Sequence, residues 1–324
     1  MSSNRASHAN NIRPTGPYDD NFKQMLIDGG VYPLHYKYMH PDGPQKPNNL
    51  DEVVQRLSQP QPAISSTVSD HEFREYTEAI SYDSNDDAVK ASVIPMFLRA
   101  IGSSDIAQKN VRFNNLTSPA DSLKEEDLEK AKSDFYYGCQ PEQANANVRK
   151  TLSRHIVPSS LTNLPIAPNF FIEVIEQRGF FEVERQAWYN GVIGARAMHS
   201  LHSYNREPVY DNKIYTLSAI YSSMGSLSVY GHSMAQPNGP ETRPESYTFM
   251  VGSWRMITDK DSYVRGLTIL KNAEEWTKEV RDAAIEGANE MEFQTVENKE
   301  KEGTNDEEQE CIEVGDAKAK RPNC

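Results

Sequence analysis

The sequence predicts an α/β protein of the mixed α+β kind, with a central mixed sheet flanked by helices. The run NFFIEVIE at Asn169–Glu176 is apolar on both alternating faces, which is typical of a strand covered on both sides. Helical patterns come first along the chain, then β-prone runs interrupted by one helix, and finally a long C-terminal helix. This order favours a sheet with helices on both faces.

The net charge and the composition restrict the classes of function. The 324 residues carry a formal net charge of −13, and residues 282–324 hold 13 acidic and 5 basic residues. An acidic chain has no general electrostatic attraction to nucleic acid, so nucleic-acid binding would need a local basic site or a metal ion. No run of about 18 apolar residues is present, so we expect no membrane partner. Three widely spaced cysteines indicate a reducing, intracellular location, cytoplasmic or nuclear.

Composition divides the chain into three parts. We predict a disordered N-terminus over residues 1–18, a single α/β domain over 19–291, and a disordered acidic tail over 292–324. Within the domain, residues 19–132 read as a mostly helical part and residues 133–291 as the core that carries the sheet.

The N-terminal half shows short helical patterns with local start and stop signals. Ser69 and Glu72 form a capping-box pattern, Asn49 is a candidate N-cap, and Pro95 lies inside a helical pattern. The predicted helices are Asp20–Asp28, Leu50–Leu57, Ser69–Ile80, Asp86–Ala100 and Glu125–Lys132, with a short edge strand at Arg112–Leu116.

The C-terminal half contains the strands and the longest helices. Predicted strands are Asp134–Tyr137, Asn169–Glu176, Lys213–Tyr221, Ser226–His232 and Tyr247–Trp254, and predicted helices are Gln143–His155, Glu182–Leu201 and Asp261–Met291. Residues 222–225 read as a hairpin loop between the third and fourth strands.

Glu173 is the residue of the core that most needs an explanation. Alternation along the strand places it on one face with Phe171 and Ile175, in the most hydrophobic strand of the chain. A buried carboxyl group is usually paired, protonated or bound to a metal. Two hypotheses follow: a structural ion pair with Arg185 or Arg196 of the next helix, or a functional site.

The helix after this strand carries two glycines on one stripe. Gly191 and Gly194 lie at helical spacing with Ala187, Met198 and Leu201. Glycine inside a helix costs about 1 kcal/mol relative to alanine. We therefore expect the helix backbone to pack closely against another element, most simply the sheet.

Several of these segments resemble an uncharacterised fungal family, a domain of unknown function, over roughly residues 20–284. The resemblance rests on SDFY at 133–136, PNFFIEV at 168–174, RQAWYNG at 185–191, GARAMHSL at 194–201 and PVYDN at 208–212.

The same pattern is similar to the restriction-endonuclease-like PD-(D/E)XK fold. That resemblance implies a restriction-endonuclease-like core in which Asp134 and Glu173 hold Mg²⁺, while Gln186 and Tyr189 match helix residues of some nuclease branches. A hard cation prefers carboxylate oxygens, and it can activate water and stabilise developing phosphate charge.

This chain departs from the nuclease pattern in three ways. The lysine position, two residues after Glu173, holds Ile175. The two acids are 39 residues apart, and the helix spacing is Gln-x-x-Tyr rather than Gln-x-x-x-Tyr. The favoured function is therefore a catalytically impaired, nuclease-like module that binds a partner, either a protein or nucleic acid at a local site. The alternative is a Mg²⁺-dependent nuclease acting on DNA or RNA.

Overall fold

The structure, a computed structural model, describes residues 13–34, 36, 45–82, 86–102, 107–118, 127–161, 163–175, 179–236 and 244–318. The helices are α1 (Phe22–Asp28), α2 (Leu50–Leu57), α3 (Pro62–Thr67), α4 (Asp70–Tyr82), α5 (Asp86–Ile101), α6 (Ala146–Thr151), α7 (Ser153–Ile156), α8 (Phe180–His202) and α9 (Lys260–Lys318). The strands are β1 (Val31–Tyr32), β2 (Ala107–Arg112), β3 (Lys132–Cys139), β4 (Ile166–Ile175), β5 (Ile214–Ser222), β6 (Ser226–Ala235) and β7 (Glu245–Arg255).

The strands form one mixed seven-stranded sheet in the order β1-β7-β6-β5-β4-β3-β2. The pairs β1–β7 and β4–β5 are parallel, and the other neighbours are antiparallel. Parallel neighbours need a crossover, and α8 supplies it between β4 and β5. The predicted class, a mixed sheet with flanking helices and a long C-terminal helix, is confirmed.

Strand β4 lies between two layers of helices, and all ten of its residues are buried. Phe170 and Ile172 join the large core shared with α2–α5 and α9, while Phe171 packs in a second cluster with Trp188 and Val192 of α8. Each face of β4 therefore meets a different helical layer, which is why the strand is apolar on both sides.

Two predictions, the edge strand at residues 112–116 and the helix at residues 125–132, are wrong. The edge strand β2 ends at Arg112, whereas the predicted strand begins at that residue. Residues 127–131 are not helical and Lys132 begins β3, whereas residues 125 and 126 lie outside the described chain. The reason is tertiary: Arg112 pairs with Lys132 across the antiparallel β2–β3 ladder, and that pairing overrides the helix propensity of a charged segment.

Other differences concern where helices begin and end. The predicted helix Gln143–His155 is two helices with Leu152 between them, and α3 and β1 are additional elements. Asn49 makes no capping bond, because its side chain bonds the backbone of Ile214 instead. Helix α9 continues past Met291 to Lys318 through a segment without proline, although the sequence predicts a disordered tail there. The division of the whole chain into three parts stays a prediction.

The described helices include none that combines the length and the apolar character needed to cross a membrane.

Candidate functional site

Two acids meet where β3 and β4 stop pairing through their backbones. The last paired residues on this side are Phe135 and Ile172. Beyond them, the Asp134 backbone N–H donates to Glu173 Oε2 at 3.1 Å, and the Val174 N–H donates to Asp134 Oδ2 at 2.9 Å. The two side chains thus take the places of backbone acceptors at the end of the ladder.

Helix α8 adds two amide side chains to Glu173. Gln186 Nε2 donates to Glu173 Oε2 at 3.0 Å and to the Lys132 carbonyl oxygen at 2.7 Å. Asn190 Nδ2 donates to Glu173 Oε1 at 2.8 Å and to the same carbonyl oxygen at 2.9 Å. Residues four apart share one helix face, so both amides connect α8 to the strands at one place.

The two short contacts of the Ser133 hydroxyl indicate whether Glu173 is protonated. Its Oγ lies 2.6 Å from the Phe135 carbonyl oxygen and 2.6 Å from Glu173 Oε1. A serine hydroxyl has one hydrogen, so both contacts are hydrogen bonds only when Glu173 is protonated and donates to Ser133. Burial, with the charge of Asp134 as the second cause, raises the pKa of Glu173 to about 8, in agreement with a neutral carboxyl group at pH 7.

The Glu173 cluster, comprising Ser133, Asp134, Glu173, Gln186 and Asn190, does not fit a magnesium ion. Each carboxyl oxygen of Glu173 already has two protein partners, and the side chain is 0% exposed. A hard cation needs oxygen lone pairs that face it. Within the described chain, no three His, Cys, Asp or Glu side chains are grouped so that they could hold a metal ion.

No family model matches this chain. No curated protein and no solved structure matches it either. The resemblance to a fungal family, and the restriction-endonuclease-like core that it implies, therefore stay predictions.

The ion-pair hypothesis for Glu173 is wrong, because neither arginine contacts it. Arg185 Nη2 pairs with Glu182 at 3.3 Å, and Arg196 Nη1 donates to the Ser118 carbonyl oxygen. Glu173 is compensated by neutral hydrogen-bonding groups instead.

Tyr189, the fourth predicted site residue, and Ile175, at the lysine position, lie outside the Glu173 cluster. The ring of Tyr189 packs edge-on against Phe22, with ring centroids 5.4 Å apart, and burial raises the pKa of its hydroxyl to about 12. Ile175, at the lysine position, is packed among apolar side chains that include Val183, Ala187 and Ile220. Of the residues carried over from the nuclease pattern, the structure brings Asp134, Glu173 and Gln186 together.

Sequence reasoning missed Ser133 and Asn190. Asn190 had a usable signal, because it follows Gln186 by four residues and so lies on the same helix face. Ser133 had a weaker one, since it only precedes a candidate acid in a β-prone run.

A second buried polar group lies against Gly191. His232 Nε2 is 2.7 Å from Ser218 Oγ, and its Nδ1 is 3.2 Å from Thr248 Oγ1. A Cβ atom on Gly191 would lie 2.1 Å from His232 Nε2, so glycine makes room for the imidazole. Burial lowers the pKa of His232 to about 3, which makes the ring neutral at pH 7.

Proposed function

We propose that this chain is a nuclease-like domain that binds a partner without catalysing phosphodiester cleavage. The observation that carries the proposal is the enclosure of the Glu173 carboxyl group, which is buried and hydrogen-bonded at both oxygens. Burial also raises the pKa of this group to about 8. Such a group neither holds a divalent cation nor reaches a substrate in solvent.

The nuclease-like part of the proposal is supported by the elements on which Asp134, Glu173 and Gln186 lie. Asp134 lies on one strand, Glu173 on the adjacent strand, and Gln186 on the helix that follows. This arrangement agrees with the resemblance to the endonuclease-like fold. Fold alone does not determine function, and the chemistry of the site argues against cleavage.

The loss of catalysis is supported independently by Ile175. A nuclease of this pattern needs a cation near the phosphate to stabilise developing charge. Ile175 is 5% exposed and neutral, and Arg185, a candidate to replace a lysine, pairs with Glu182. A binding module in an intracellular compartment, with a protein partner or a local nucleic-acid site, accounts for these features.

A nuclease assay tests the proposal. Purified full-length protein, Glu173→Ala and Ile175→Lys are incubated with Mg²⁺ or Mn²⁺ and single- or double-stranded DNA and RNA. We expect no metal-dependent cleavage from any of the three, because the hydrogen bonds of Glu173 exclude the metal even when a lysine is supplied. Thermal melting establishes that each variant is folded. Cleavage by the wild type that Glu173→Ala abolishes would support the Mg²⁺-dependent nuclease instead.

A further inference from the structure

A cavity of about 70 Å³ lies between α8 and strands β5–β7. A water molecule needs roughly 10–15 Å³ of such space, so the cavity has room for about five waters or one small organic molecule. It shares helix α8 with the Glu173 cluster, and Ala187 in its wall follows Gln186 directly.

One wall of the cavity is apolar and partly aromatic, with Leu34, Ala187, Trp188, Ile220 and Tyr230. Four of these residues, all except Trp188, also belong to the apolar cluster that contains Ile175. The residue at the nuclease lysine position therefore supports the wall of a cavity that suits a flat apolar ligand.

The floor of the cavity is polar and uncharged. Ser218, His232 and Thr248 line it and are hydrogen-bonded to one another. Because the imidazole already has a partner at each nitrogen, the floor is satisfied without a ligand. It adds polarity but no charge.

The remaining side holds the charged groups, Lys23, Arg185 and Glu184. Lys23 is exposed. Among the described residues, the one hydrogen bond of the Arg185 side chain is its 3.3 Å contact with Glu182, and its Nε has no partner. A guanidinium has five N–H donors, and Glu182 accepts from one of them, so Arg185 keeps donors for a ligand. A carboxylate is the acceptor that matches a guanidinium best.

We propose that the cavity binds a small aromatic carboxylate, with its ring against Trp188 and Tyr230 and its carboxylate at Arg185. This inference rests on the proposed function of a binding module and names its ligand class. A single aromatic ring matches the size of the cavity, and the unpartnered Nε of Arg185 is a donor that a carboxylate oxygen can accept from.

Isothermal titration calorimetry on the full chain tests the proposal, with benzoate as the probe and benzamide as its neutral counterpart. We expect benzoate to bind with a Kd below about 1 mM and to change the tryptophan fluorescence, and benzamide to bind about tenfold more weakly or worse.

Two variants test the placement. Ala187→Leu fills the cavity and abolishes binding of both probes. Arg185→Met keeps an apolar stem but removes the guanidinium, and it weakens benzoate binding at least about tenfold without affecting benzamide. Arg265→Met, at an exposed position of α9, is the matched control and leaves binding unchanged.

The results separate two kinds of failure. No benzoate binding up to about 10 mM, equal binding of benzoate and benzamide, or full binding by Ala187→Leu each overturns the ligand class or its place. If Arg185→Met does not fold, the comparison of the two probes still decides the role of charge. The proposed function itself fails only when the nuclease assay finds cleavage that depends on Glu173.

Discussion

Glu173 carries a proton that its surroundings stabilise. Hydrogen bonds from Asn190 and from the Asp134 backbone favour the charged form, but complete burial and the nearby Asp134 carboxylate oppose it more strongly. A neutral acid needs no ionic partner, which explains why the arginines of α8 lie elsewhere.

The proton of Glu173 predicts a pH dependence of stability. Its pKa is about 8 in the folded protein, against the ordinary value of 4.5 that it has in the unfolded chain. Between these values the folded state holds a proton that the unfolded state has lost, so raising the pH lowers the free energy of unfolding across this window. Above about pH 8 the contribution of Glu173 is lost.

Urea denaturation at a series of pH values measures this effect against Glu173→Gln, which cannot titrate. His155, whose pKa is lowered to about 4, and His232 give the opposite trend at acid pH, and subtraction of the variant curve removes both. We subtract the free energy of unfolding of Glu173→Gln from that of the wild type. This difference should decrease as the pH rises from about 4.5 to 8. Parallel curves would show that Glu173 is ionised in the folded state.

At the scale of elements, α8 packs unusually close to the sheet. A Cβ atom on Gly194 would lie 2.7 Å from side-chain atoms of Phe171 and Thr216 and 2.9 Å from the Pro168 carbonyl oxygen. The prediction that the glycine stripe marks close packing is confirmed. This approach is also what brings Gln186 and Asn190 within hydrogen-bonding distance of Glu173.

Gly194→Ala is expected to destabilise the protein by about 1–3 kcal/mol, because the backbone carbonyl and the two side chains around it must move. Gly287→Ala is the matched control, since its Cβ atom would have one neighbour, Arg206 Nη2, at 3.7 Å. In the helix α9 that change should stabilise the protein by about 0.5–1 kcal/mol. Urea denaturation measures both, and equal effects of the two substitutions would contradict the close-packing explanation.

Elements with a strong internal pattern were predictable from sequence. The helix Leu50–Leu57 is predicted without error, and β4 and α8 differ from prediction by a few residues at their ends. The edge strand β2 was misplaced because a short strand acquires its stability from the neighbour with which it pairs, and that neighbour is distant in sequence.

At the scale of the whole molecule, a buried arginine joins α9 to the central strand. Arg281 is 1% exposed, and its Nη1 donates to Asn169 Oδ1 at 2.6 Å. Asn169 Nδ2 in turn donates to the carbonyl oxygens of Tyr215, at 3.1 Å, and Thr277, at 2.8 Å. One side chain of β4 thereby contacts both β5 and α9.

Asn169→Ala should therefore cost about 2–3 kcal/mol, because it removes a hydrogen bond to a buried charged group and leaves other polar groups without partners. Urea denaturation followed by circular dichroism measures the loss, with the exposed Asn114→Ala as the control. Arg281→Met combined with Asn169→Ala should cost less than the sum of the two single changes. Strict additivity would mean that the two side chains do not stabilise each other.

The sequence by itself determined the fold class, the buried strand with its acid and the close-packed helix, since each is written in local periodicity or residue type. The partner acid, Asp134, was implied by the resemblance to the nuclease pattern. Only the tertiary structure decided the state of Glu173. Whether a buried acid is ionised, paired or neutral depends on donors and charges from other elements: Ser133 and Asp134 from β3, Gln186 and Asn190 from α8. Those distances, like the cavity beside Ile175, arise only when the helix packs on the sheet.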